Sequence, residues 1–188
     1  MIASAGGIPA LIEIIGALGT DFPIPLFIAQ HLPRVPLPLD KTLACYTSLP
    51  VRWAEAGPLT SLKGIYLAPP GTGILLTLTG IEIDVLPAPS ASWLASGDQM
   101  IRSIFARFGS RTAAIVLSGM LPAGIEGIRV VRQGGGVTMA QDRSSRRFEM
   151  PSAAIDFGKA EIICAPAGMA RVLNMLPDLW EEARERAA

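Results

Sequence analysis

Short apolar runs of strand length alternate along the chain with stretches whose apolar positions recur every three or four residues. Runs at Met1–Ser4, Ile24–Gln30, Val51–Ala54, Ile65–Ala68, Thr112–Leu117, Gly136–Ala140 and Glu161–Cys164 read as strands, and their apolar character suggests burial on both faces. Between them the periodicity predicts helices over Pro9–Leu18, Leu39–Thr47, Gly97–Phe108, Gly124–Gln133, Pro151–Phe157 and Ala167–Arg186. Pro9 suits a first helical turn, and Gly97–Phe108 carries its apolar stripe at Met100, Ile101, Ile104, Phe105 and Phe108. The segment "GILLTLTGIEIDVLP" departs from this rhythm: alternation on both sides of Thr79-Gly80 predicts a β-hairpin insert. Strands alternating with helices are the pattern of βαβ units, so the expected class is α/β with a mostly parallel sheet.

Length and composition narrow this further. The 188 residues suit a single domain spanning 1–188, and with half of them hydrophobic and 17% charged the chain is not disordered. Sixteen basic and sixteen acidic residues balance, which argues against nucleic acid as the main partner. The most apolar stretch, Ile2 to Gly19, fails as a membrane span because Glu13, Pro9 and several glycines interrupt it and no basic flank orients it, so no membrane insertion is expected. Cys45 and Cys164 stand alone, which reads as two reduced core thiols in a cytoplasmic protein. No metal cluster and no cofactor motif is visible.

Four stretches could carry chemistry. In "MIASAGGIPA" Ser4 closes the first strand in a small-residue turn that opens a helix, so it is either a nucleophile at the carboxyl edge of a sheet or a packing residue. His31, the single histidine, follows the second strand in "LFIAQHLPR". If those strands are parallel neighbours, both residues reach one edge, and a serine beside an imidazole is the minimum apparatus for acyl transfer; a histidine bonding a backbone carbonyl is the plainer alternative. "YLAPPGTGILL" starts like a phosphate-binding loop but lacks the Lys-Ser or Lys-Thr that would hold phosphate and metal, so nucleotide binding is set aside. "AQDRSSRRFEMPSAAI" is a polar loop with Arg143, Arg146 and Arg147, either a solvated surface or a rim for an acidic partner.

In their order, "ASAGG", "IAQHLP", "YLAPPG", "SGDQMIRSIFARFG", "VLSGM" and "AQD" followed by "FEMPSAAI" resemble the catalytic domain of the CheB protein-glutamate methylesterase family, over nearly the whole chain. The resemblance implies a three-layer, doubly wound sheet with helices on both faces. It implies that Ser4 attacks a γ-glutamyl methyl ester on methyl-accepting chemoreceptors, that His31 is its base, and that Ala5, Gly6, Met120 and Arg143 line the substrate. Many members also carry an amino-terminal receiver domain, for which this chain begins too late.

The same register marks departures. The family shows "GMGxDGxxG" after the fourth strand of its core, with an aspartate that orients the histidine; this chain reads "GMLPAGIEG", with Ala123 at that position. Glu126, one helical turn on, is the tentative substitute acid. Pro122 alters the same turn, and Gly73 and Glu149 stand where the family has histidine and glycine. The expectation is a serine esterase acting on the cytoplasmic helices of chemoreceptors or a related signalling protein, with some capacity to deamidate glutamine and with attenuated turnover. Two alternatives remain: a degenerate domain that binds such partners without hydrolysis, and a hydrolase with a changed substrate.

Overall fold

The computed structural model of the protein describes residues 1–32, 37–58, 63–85 and 91–187. The chain opens with β1 (Ile2–Ala3), α1 (Ile8–Gly16), β2 (Leu26–Gln30), α2 (Leu39–Ala44), β3 (Val51–Trp53) and β4 (Gly57–Pro58). It continues with β5 (Ile65–Leu67), β6 (Thr72–Leu76), β7 (Gly80–Val85), α3 (Ala91–Phe108) and β8 (Ala113–Val116). The last elements are α4 (Ile125–Gln133), β9 (Val137–Gln141), α5 (Glu149–Asp156), β10 (Ile162–Cys164) and α6 (Pro166–Ala187).

Among the described residues, seven strands form one sheet in the order β10-β9-β8-β1-β2-β5-β3, and every pairing in it is parallel. This is the doubly wound arrangement expected from the sequence. From β1 the chain winds outward through β2 toward one side, then returns to lay β8, β9 and β10 on the other, so the topological switch falls at β1. Alternation within β1 divides the core. Ala3 faces α1, α2 and α6, through Leu11, Ile15, Leu43 and Leu173, whereas Ile2 faces α3, α4 and α5, through Met100, Ile101, Ile128 and Met150. Ile2 is fully buried, a contribution of about 1.5–3 kcal/mol. That site admits no larger neighbour: a Cβ on Gly124, which opens α4 at φ +81°, would stand 2.2 Å from Ile2 Cδ1.

The structure corrects four expectations. The hairpin belongs to a three-stranded antiparallel sheet, β4-β7-β6, because Gly57 and Pro58 pair with Ile81 and Gly80; Leu86 and Pro87 of the expected hairpin lie outside the described residues. Helix α3 starts at Ala91 rather than Gly97, and Gly97 is interior because its missing side chain lets Ile2 Cγ2 approach to 3.2 Å of where a Cβ would be. Helix α5 starts at Glu149, with Pro151 in the first turn, where its absent N–H has no partner to lose. Of the two expected core thiols only one packs there: Cys45 is exposed at the end of α2, donating to the Lys41 carbonyl, whereas Cys164 is half-buried against the core. No described helix is long and apolar enough to cross a membrane.

Candidate active site

Parallel strands end together, so the carboxyl ends of β1, β2, β8 and β9 gather one group of polar residues at the switch point. After Ala3 the chain turns sharply: the Gly7 N–H donates to the Ser4 carbonyl at 2.9 Å, Gly6 takes φ +78°, and α1 begins. The Ser4 N–H donates to the Ser118 carbonyl beyond β8, and the His31 N–H donates to the Ala3 carbonyl, each at 2.9 Å. Ser4 Oγ then lies 3.3 Å from His31 Nδ1, with Ser4 half-buried and His31 exposed. For Nδ1 to accept the serine proton, the neutral ring carries its own proton on Nε2.

A buried polar frame fixes this edge. Ser118 is wholly buried: its N–H donates to Gln141 Oε1 at 3.0 Å, its hydroxyl donates to the Ala5 carbonyl at 2.8 Å, and the Arg147 N–H donates to that hydroxyl at 3.0 Å. The arginine loop is tied to the same turn, because Gly119 N–H donates to the Arg147 carbonyl and Met150 N–H to the Gly119 carbonyl. Gln30, also buried, donates through Nε2 to the carbonyls of both Ser4 (3.0 Å) and His31 (2.9 Å). None of Gln30, Ser118 or Gln141 was assigned a role from the sequence. Their signal was present: each is a polar residue closing an apolar run, in "FIAQ", "IVLS" and "VTMAQ".

The other sequence-derived candidates fall in different places. Ala5 is exposed and Gly6 half-exposed in the turn, and Met120 and Leu121 stand out into solvent at 52% and 42% exposure after β8. Arg146 comes nearest to the turn: a Cβ on Gly6 would be 2.7 Å from Arg146 Cβ. Arg143 instead stacks over Phe148, its guanidinium carbon 4.9 Å from the ring centre. Ala123 is 1% exposed and packs in the apolar layer that contains Ile2 and Met100. Glu126, on an exposed face of α4, is ion-paired with Arg129. The carboxylate that the amino end of α4 does hold is Asp98, whose Oδ1 accepts from Gly127 N–H at 2.6 Å. Burial raises the Asp98 pKa, opposed by the backbone hydrogen bonds from Gly127, Gly124 and Glu126. Among the described residues no group of His, Cys, Asp and Glu side chains is arranged to hold a metal ion.

A serine and an imidazole at the switch point of a doubly wound sheet can carry out acyl transfer, and comparison with known proteins says in which lineage. The model of the CheB methylesterase family matches residues 1–173. The chain belongs to the CheB methylesterase family. It is 36% identical over 158 residues to protein-glutamate methylesterase/protein-glutamine glutaminase 3 of Myxococcus xanthus, covering 83% of this chain and 44% of that protein. It is 37% identical over 183 residues to a protein-glutamate methylesterase/protein-glutamine glutaminase of Carboxydothermus hydrogenoformans, covering 92% and 50%. The chain thus spans about half the length of the curated relatives it matches. The crystal structure of the CheB methylesterase catalytic domain of Thermotoga maritima superposes with a TM-score of 0.81 at 26% identity, covering 93% of this chain and 95% of that one. The CheB fold is therefore established over nearly the whole sequence.

Proposed function

We propose that this CheB-family domain is a serine hydrolase that removes methyl esters from glutamate side chains of chemoreceptors, with Ser4 as nucleophile and His31 as base. The observation that carries the reading is the 3.3 Å approach of Ser4 Oγ to His31 Nδ1. Ser4 Oγ attacks the ester carbonyl while Nδ1 takes its proton; the imidazolium returns that proton to the departing methoxide, releasing methanol. Water, deprotonated by the same nitrogen, then cleaves the acyl-enzyme to leave a glutamate carboxyl group. Ala5 and Gly6 follow Ser4 where α1 begins, and amides at a helix start favour the negative charge that develops on the carbonyl oxygen. Ammonia leaving in place of methanol gives the deamidation named for the relatives.

The rim suits an acidic, amphipathic helix as substrate. Met120 and Leu121 expose apolar surface just after β8, and Arg143, Arg146 and Arg147 supply positive charge. Turnover is attenuated in this reading. Ala123 places a methyl group in the apolar layer at the position where the resemblance expects an acid, and Glu126 would have to leave Arg129 to serve the imidazole. A dedicated carboxylate in a triad is worth about 10⁴-fold in turnover. The test is hydrolysis of a γ-glutamyl methyl ester in a receptor-derived peptide. Slow methanol release that disappears with Ser4→Ala supports the enzyme; binding of the peptide with no release, unaffected by Ser4→Ala, supports a binding domain in its place.

A further inference from the structure

We infer that Gln30 is a positioning residue that staples the nucleophile turn to the base, an inference that rests on the hydrolase reading above. The β1–β2 ladder ends at the pair Ala3 and Gln30, and its last backbone bond runs from His31 N–H to the Ala3 carbonyl. Beyond that rung the two strands separate: Ser4 turns back toward α1, its N–H directed to Ser118 beyond β8. The Gln30 amide adds one further rung. Its two N–H groups go to the carbonyl of Ser4, at 3.0 Å, and to that of His31, at 2.9 Å, so one side chain ties the peptide that follows the nucleophile to the one that follows the base.

The remaining atom of that amide is held at a cost. Gln30 is 7% exposed, and its Oε1 is buried without a hydrogen-bond partner among the described residues. The oxygen lies against Gly7, 3.2 Å from where a Cβ would project. An orphaned buried acceptor costs free energy that a hydrocarbon of the same length would not. Position 30 accepts that cost and keeps the two donors. Placement within about 1 Å matters to a nucleophile and its base, since an error of that size costs roughly a hundredfold in rate.

The experiment compares the parent chain with Gln30→Met, which keeps length and loses both donors, and with Gln30→Glu, which keeps shape and loses them as the carboxylate. The expected result for both is a fall of about ten- to a hundredfold in kcat and in the rate of Ser4 labelling by a fluorophosphonate, with KM for the peptide ester within about twofold. The thermal midpoint of Gln30→Met should fall modestly, because the loss of two hydrogen bonds outweighs the relief of one orphaned acceptor, and the chain stays folded at the assay temperature. His31 is the only histidine, so its ring nitrogens give unambiguous ¹⁵N resonances and a readout that needs no turnover. Ser4→Ala should move the Nδ1 resonance in the parent and leave it unmoved in the Gln30→Met background, where the contact has already been lost. Unchanged labelling, or an equal Nδ1 response to Ser4→Ala in both backgrounds, overturns the staple. A parent chain that is neither labelled nor active sinks the hydrolase reading instead, and the resonances still decide whether Gln30 holds the pair together.

Discussion

The two edges of the central sheet are built from the same strands and differ in every chemical respect. At the carboxyl edge Ser4, Gln30, Ser118 and Gln141 close their strands with side chains that hydrogen-bond one another or neighbouring backbone. At the amino edge the strands begin in an apolar cleft of about 340 Å³ lined by Ile24, Leu26, Phe108 and Trp180 among others. In a parallel sheet the helices start at the carboxyl edge, where their amides favour anions and polar contact, so one edge is suited to chemistry while the other is apolar.

If that division is right, the largest effect comes from the reactive edge. Ser4→Ala should abolish the attenuated ester hydrolysis, a fall of about a hundredfold or more, while moving unfolding free energy by no more than about 0.5 kcal/mol, since the serine is half-buried in a turn. A parallel loss of stability would mean the edge is structural. Ala123→Asp should raise turnover by roughly ten- to a thousandfold by offsetting the imidazolium charge. The same substitution buries a carboxylate in the layer of Ile2 and Met100, so denaturant titration should show a loss of about 1–3 kcal/mol. A loss of stability with no gain in rate would place residue 123 out of reach of the ring.

The smallest effect is expected at the rim. Replacing Arg143, Arg146 and Arg147 together by Ala should weaken peptide binding by only about 0.2–1 kcal/mol per lost pair and flatten its salt dependence, measured by titration at low and high ionic strength.

Apolar runs alternating with helical periodicity were enough to read the sheet, its helices and the edge on which Ser4 and His31 meet, because strands buried on both faces leave an unmistakable signal. The third strand of the small sheet was not legible. Gly57 and Pro58 carry no β pattern and pair only because Gly80 leaves room for them: a Cβ there would be 2.0 Å from the Gly57 carbonyl oxygen. Asp98 was quoted within a motif, yet its role as the acceptor for α4 amides depends on the crossing of α3 and α4, which no local spacing encodes. Cys45 misled because thiols are usually buried, whereas this one sits exposed at a helix end.

Strand β1 has consequences for the order in which the molecule can assemble. Its Ile2 lies between Ala29 on one side and Val116 on the other, and Ser4 bonds to Ser118 across more than a hundred residues of chain. During synthesis the half containing His31 emerges early, and that β1–β2 pairing can form while the other flank of β1 is still an open edge. Contacts of such long sequence separation close slowly, and an unpaired apolar edge in a growing chain invites the wrong partner. A nascent chain halted before residue 116 therefore has Ser4 and His31 in hand but should be an aggregation-prone species, rescued only when β8 arrives.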